Sequence, residues 1–112
     1  MPEISWDEFE RVDVRVGRIV EAEPFPEARK PSIKLVVDFG PEVGTKRTSA
    51  QLTAHYDPEG LTGRQVVAVV NFPPKRIAGF KSEALVLGVP DDDGEVVLLS
   101  PDTDVPEGGR MF

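Results

Sequence analysis

The chain has 112 residues, 39% hydrophobic and 29% charged, with a formal net charge of -7; this describes one globular domain spanning 1–112 and excludes a disordered segment. Cys is absent and His55 is the only histidine, which excludes disulfide scaffolds, thiolate zinc sites, cysteine nucleophiles and histidine-rich metal sites. No apolar run approaches the ~20 residues needed to span a bilayer, and the opening Met1 to Asp7 is acidic where a secretory signal would be basic; the expected location is cytoplasmic, with no membrane insertion.

The charge is unevenly distributed. Residues 1–28 carry a net -5, residues 29–81 a net +5 and residues 82–112 a net -7. A basic middle folded onto one face would keep a local positive field despite the acidic total. One Asn, two Gln and eleven Pro form a thermophile pattern of few labile residues and stiff connections. The expected melting temperature is therefore well above about 50 °C, which a thermal unfolding scan checks.

Ser5-Trp6-Asp7-Glu8 has the spacing of a capping box and predicts a helix over about 5–10, with Trp6 and Phe9 on one face as a plug against a sheet. Val12, Val14 and Val16 alternate with polar residues, the period of a half-buried strand. The apolar phase shifts after Gly17 to Ile19, which predicts a β-bulge at the glycine. Three prolines make Glu23 to Pro31 a loop. Ile33, Leu35, Val37 and Phe39 predict a second strand, ended by Gly40-Pro41. A polar third strand over Lys46 to Leu52 puts Arg47, Ser49 and Gln51 on one face. Ala54 to Gly63 is a connector with one helical turn, Gln65 to Val70 a fourth strand, and Asn71 to Phe80 an ordered loop. Ala84–Val89 and Val96–Leu99 form a hairpin joined across Pro90 to Gly94, and a short strand near Arg110 ends the chain. Five or more strands with a non-strand connector between the third and fourth fit an all-β Greek-key barrel, with the OB-fold leading other small barrels.

The residues offer little catalytic chemistry. His55 lacks the spacing of a triad or a zinc-protease motif, and reads as a surface or capping histidine. Asp91-Asp92-Asp93-Gly94-Glu95 lacks the ligand spacing of a calcium loop and reads as a solvated turn. No metal or cofactor is expected, nor an enzyme. The informative stretch runs from Asn71 to Gly88. Pro73 and Pro74 pre-set its backbone, so Lys75 and Arg76 are displayed with little entropy left to lose on binding. Ile77 and Phe80 bracket Gly79, and Ser82-Glu83 opens the next strand.

This stretch, together with Val12-Asp13-Val14-Arg15-Val16-Gly17-Arg18-Ile19, Lys34 to Gly40, Thr48 to Leu52 and Leu61 to Val66, resembles the tRNA-binding domain family of OB-folds over about residues 6–112. Within it, Asn71-Phe72-Pro73-Pro74-Lys75 and Ser82-Glu83-Ala84-Leu85-Val86-Leu87-Gly88 are similar to the CsaA-type export chaperones; tRNA-binding members more often carry Asn-Leu-x-Pro and Ser-x-Gly-Met there. The resemblance implies a homodimer that holds unfolded or precursor polypeptides for export without ATP. The export translocation machinery is a candidate partner, and tRNA an alternative ligand of the same surface. Candidate contacts are Lys34, Arg47, Ser49, Gln51, Phe72, Lys75, Arg76, Ile77, Phe80, Ser82 and Glu83. Asn71, Pro73, Pro74 and Gly79 are expected to shape the loop, with Asn71 bonding its backbone. Glu83 is expected to pair with Lys75 or Arg76, to satisfy a buried amide, or to meet a partner copy.

Overall fold

In the computed structural model, which describes all 112 residues, three antiparallel strands form a meander. They are β1 (Val14–Pro24), β2 (Ile33–Asp38) and β3 (Thr45–Ala50). β4 (Gln65–Val69) returns beside β1, and β7 (Leu85–Val86) beside β4, giving the sheet order β3-β2-β1-β4-β7. Coiling this sheet brings β3 towards β7, so a nearly closed five-strand barrel with Greek-key connectivity results, as expected of an OB-fold. A hairpin of β5 (Lys75–Ile77) and β6 (Phe80–Ser82) leaves the barrel before β7, and a second hairpin, β8 (Gly88–Pro90) and β9 (Val96–Leu98), follows it. α1 (Trp6–Glu10), α2 (Gly40–Val43) and α3 (Pro58–Leu61) are each about one turn. No helix is long and apolar enough to cross a membrane.

The alternation in β2 is realised as read: Ile33, Leu35, Val37 and Phe39 point inward and are buried, joined by Ile19, Leu52 and Leu61. Thr48 is the buried polar residue of β3, and its hydroxyl donates to the Ala84 carbonyl at 2.7 Å. That bond ties the first and last strands of the sheet together inside the barrel, where an unpaired hydroxyl would be costly.

Several expectations are corrected. The capping box at Ser5 forms with both bonds in place, but α1 buries no residue: it is no plug, and Trp6 stays 77% exposed. Val12 lies outside β1 and is exposed. The bulge falls at Val20, between Ile19 and Glu21, not at Gly17. Gly17 is required for another reason: a Cβ there would lie 2.5 Å from Val37 Cγ1 and 2.7 Å from the Phe39 ring. The strand runs on to Pro24, two residues into the predicted loop. Gly40-Pro41 starts the helical turn α2 and does not simply end a strand. The loop from Asn71 to Phe80 contains strand β5 and the turn to β6. Ala78 and Gly79 both have positive φ (48° and 80°), which is what a two-residue hairpin turn of the primed type demands.

The acidic termini are folded against arginines of β1. Arg18 donates to Glu107 at 2.5 Å and to Asp104 at 2.8 Å, and Arg15 bonds Asp13 at 2.6 Å and the Gly108 carbonyl at 3.0 Å. The tail runs beside β1, with a bridge between Arg15 and Arg110. Glu107's carboxyl is held below the ordinary glutamate range, chiefly by the Arg18 hydrogen bond. A depressed carboxylate stabilises the fold above its unfolded pKa, and the contribution is lost as pH falls through the folded one. We expect acid titration of stability to show this loss below the ordinary glutamate range, and Arg18→Gln to flatten that part of the curve; an unchanged curve would assign the acid sensitivity elsewhere.

Candidate functional site

The barrel closes where Glu83 meets Arg47, next to the Thr48–Ala84 bond. The Glu83 N–H donates to the Arg47 carbonyl at 2.7 Å, and the Arg47 N–H donates back to the Glu83 carboxylate at 3.0 Å. Beyond this point β3 and β7 are not paired, and the opening between them is a groove of about 480 Å³. Ser49 and Gln51 line it from the β3 side, Glu83, Ala84 and Leu85 from the β7 side, and Phe72, Pro73, Lys75, Ile77 and Ser82 from the hairpin segment. Seven of the eleven predicted contacts therefore meet in one place.

The hairpin register explains which of its residues reach the groove. Lys75 lies opposite Ser82 and Ile77 opposite Phe80, so these four share one face; Arg76 and Lys81 pair on the other. Arg76 is thus turned away from the groove. It stands with Lys81 as an exposed basic pair on the outer face, a separation that the adjacent positions Lys75-Arg76 conceal until the segment is known to be a strand.

Lys34, Arg47 and Phe80 belong to a second, separate pocket. Phe80 is buried, only 6% exposed, and packs against Phe25 with ring centroids 5.3 Å apart. Lys34 Nζ sits 4.6 Å from the Phe25 centroid and 5.2 Å from that of Phe80; the Arg47 guanidinium is 4.6 Å from Phe80. The cations cover the aromatic faces and hold their heads in solvent, a cation–π arrangement. Phe80 accordingly supports the two cations and is not a displayed contact, whereas Phe72 is exposed on the groove wall. Lys34, Arg47 and Phe80 line a cavity of about 460 Å³ with Glu21 and Glu23. Sequence reasoning misses Phe25, whose only signal is an aromatic residue between two prolines in a predicted loop.

Two structural roles also differ from expectation. Asn71 bonds no backbone of its own loop. Its Oδ1 accepts from the Asp13 N–H at 3.0 Å and its Nδ2 donates to the Arg11 carbonyl at 2.7 Å, so it staples the start of β1 to the start of the hairpin segment. Glu83 forms no ion pair with Lys75 or Arg76; its backbone and carboxylate are engaged by Arg47. Glu83 does satisfy an amide, but that of Arg47, which is exposed and not buried as expected. His55, as expected of a capping residue, bonds Asp91 at 2.6 Å, and Asp91 accepts from the Asp93 and Glu95 amides of its own turn.

Residues 14–110 match the model of a family described as a putative tRNA-binding domain. The chain belongs to the tRNA-binding domain family. Within it the chain is of the CsaA type: it is 51% identical to the chaperone CsaA of Bacillus anthracis str. Ames, with a TM-score of 0.92 covering 99% of this chain and 100% of that one. It is 46% identical to the CsaA chaperone protein of Picrophilus torridus, with a TM-score of 0.90 over 98% and 100%. Among curated proteins it is 36% identical to the methionine–tRNA ligase of Methanocaldococcus jannaschii over 111 residues, 99% of this chain and 17% of that protein. The chain thus spans about a sixth of the length of those ligases, and the likeness is confined to one domain of them.

Proposed function

We propose that this CsaA-type domain is a non-catalytic, ATP-independent chaperone that holds unfolded or precursor polypeptides in the groove between β3 and β7 and passes them to the export machinery. The observation that carries this reading is the groove's lining. Phe72, Ile77 and Leu85 provide apolar contact, while Lys75, Ser49 and Gln51 offer hydrogen bonds; the Ser82 hydroxyl is bonded to that of Thr48 at 3.2 Å. Such a mixture accepts many sequences and reads none closely, as a promiscuous site requires. The likeness to two CsaA chaperones over their whole length supports it.

The working form is proposed to be a homodimer. Ile4, Trp6, Val12, Met111 and Phe112 are all exposed, and α1 and the C-terminus bring Trp6, Phe9 and Phe112 to common cavities. Aromatic residues gathered in one apolar patch are the usual anchors of a protein interface. Two linked grooves would then add avidity for a long client. Trp6→Glu is expected to give a monomer in sedimentation velocity while leaving the fold's circular dichroism unchanged; a variant that remains dimeric would move the interface elsewhere.

A second reading, tRNA binding, is favoured by one specific observation. Arg29, Lys30, Lys34, Arg47, Lys75, Arg76 and Lys81 lie around the β5–β6 hairpin and the adjoining face of β2 and β3, where they outnumber Glu21, Glu23 and Glu83, and cations so placed are able to meet phosphates. Fluorescence anisotropy with a labelled unfolded precursor peptide and with bulk tRNA, each at low and at about 0.3 M salt, separates the two. Peptide binding that persists at high salt supports the chaperone. Binding of tRNA alone, falling steeply with salt, would replace it with the second reading.

A further inference from the structure

The closure that forms the groove also leaves a hydrogen-bonding edge facing into it. Phe39 donates to the Gly44 carbonyl just beyond the Asp38–Thr45 pair, which sets the parity of the β2–β3 ladder. Leu35–Thr48 and Val37–Lys46 are the bonded pairs, and Lys34–Ser49 and Val36–Arg47 the non-bonded ones. The backbone groups of Arg47 and Ser49 therefore point away from β2. At Arg47 both are taken by Glu83. At Ser49, two residues further, no hydrogen bond outside the ladder engages either the N–H or the C=O. Ser49 and Gln51 also line a neighbouring cavity of about 270 Å³ beside Arg29 and Lys30, and Ile77 is common to both cavities. The open edge thus has space along its length. Proteins ordinarily cover or disrupt such an edge; here Glu83 covers one position and leaves the next free.

We propose, resting on the polypeptide-holding reading above, that an extended client segment adds to the edge of β3 at Ser49 as a further strand. Its main-chain N–H and C=O complete the unpaired groups of Ser49, and alternate side chains are directed at Phe72, Ile77 and Leu85. Main-chain pairing supplies affinity that does not depend on client sequence, and the apolar wall adds a preference for an apolar residue at every second position. Arg29, Lys30 and Lys75 outnumber Glu83 along the two cavities, so acidic or neutral residues suit the intervening positions better than basic ones.

The test uses the full chain and a fluorescein-labelled octapeptide of alternating Thr and Leu. Single N-methylation, scanned along the peptide, removes one amide donor at a time. We expect affinity to fall about tenfold at the one position whose amide donates to the Ser49 carbonyl and less than about twofold at the others. At saturation, the Ser49 amide is expected to exchange with solvent about tenfold more slowly. Similar losses at every position, or an unchanged Ser49 amide with peptide bound, would overturn the strand addition and leave the groove reading standing. Failure of the unmodified peptide to bind would remove both, and slowed Ser49 exchange with tRNA but not with peptide would assign the edge to RNA.

Discussion

Gly17→Ala is expected to destabilise the domain by about 2–3 kcal/mol, near the upper end for an overpacked core. The added Cβ would meet Val37 Cγ1 at 2.5 Å and the Phe39 ring at 2.7 Å, and both neighbours are fully buried. Neither has free volume to move into, because a close-packed interior transmits the displacement instead of absorbing it. For a domain of this size the melting temperature should fall by roughly 10–15 °C. A second variant tests the cause. Phe39→Leu removes the ring that meets the new methyl, so the pair Gly17→Ala with Phe39→Leu should be less destabilised than the sum of the singles by about 1 kcal/mol. Strict additivity in chemical denaturation would show that β1 and β2 do not meet at this contact.

The two faces of the β5–β6 hairpin should separate in binding. Lys75→Ala with Ile77→Ser alters the groove wall and is expected to weaken the unfolded peptide by about tenfold or more, since it removes an apolar contact and a charge from one site. Arg76→Ala with Lys81→Ala alters only the outer face, and peptide affinity should stay within about twofold. Any tRNA binding should respond to the outer pair as well, its salt dependence becoming shallower by about one unit for each phosphate that is no longer neutralised. Equal loss of peptide affinity in both variants would show that the hairpin acts as one surface and would refute the assignment of Lys75 and Arg76 to opposite faces. Anisotropy titrations of the two double variants decide it.

Much of this fold is legible along the chain because its signals are local. The capping box at Ser5 needs four residues, and the alternation of Ile33, Leu35, Val37 and Phe39 needs seven. The Asp91 turn is likewise built from its own residues, Asp91 accepting from the amides of Asp93 and Glu95. The groove residues are legible as a set, since Phe72 to Glu83 is nearly continuous and the resemblance to the tRNA-binding domain family covers it. Their grouping is not. Arg76 looks like a partner of Lys75 until the segment is known to be a strand, where neighbours point to opposite faces. Phe80 looks like a display residue until Phe25, Lys34 and Arg47 are seen to cover it.

By itself, then, the amino-acid sequence determined an all-β barrel of the OB type, the strands β1 to β4 to within a few residues, and membership of the tRNA-binding domain family. These follow from periodicity, turn chemistry and motif order, all of which are properties of neighbouring residues. Only the tertiary structure decided where the barrel stays open, that Gly17 serves close packing and not a bulge, that Asn71 holds Arg11 and Asp13, and that Trp6 and Phe112 share an apolar patch. Each of these joins residues well separated in the chain. Which backbone groups stay free at Ser49 depends on ladder parity and on Glu83 reaching Arg47 across the barrel, and no local pattern encodes a register between distant strands.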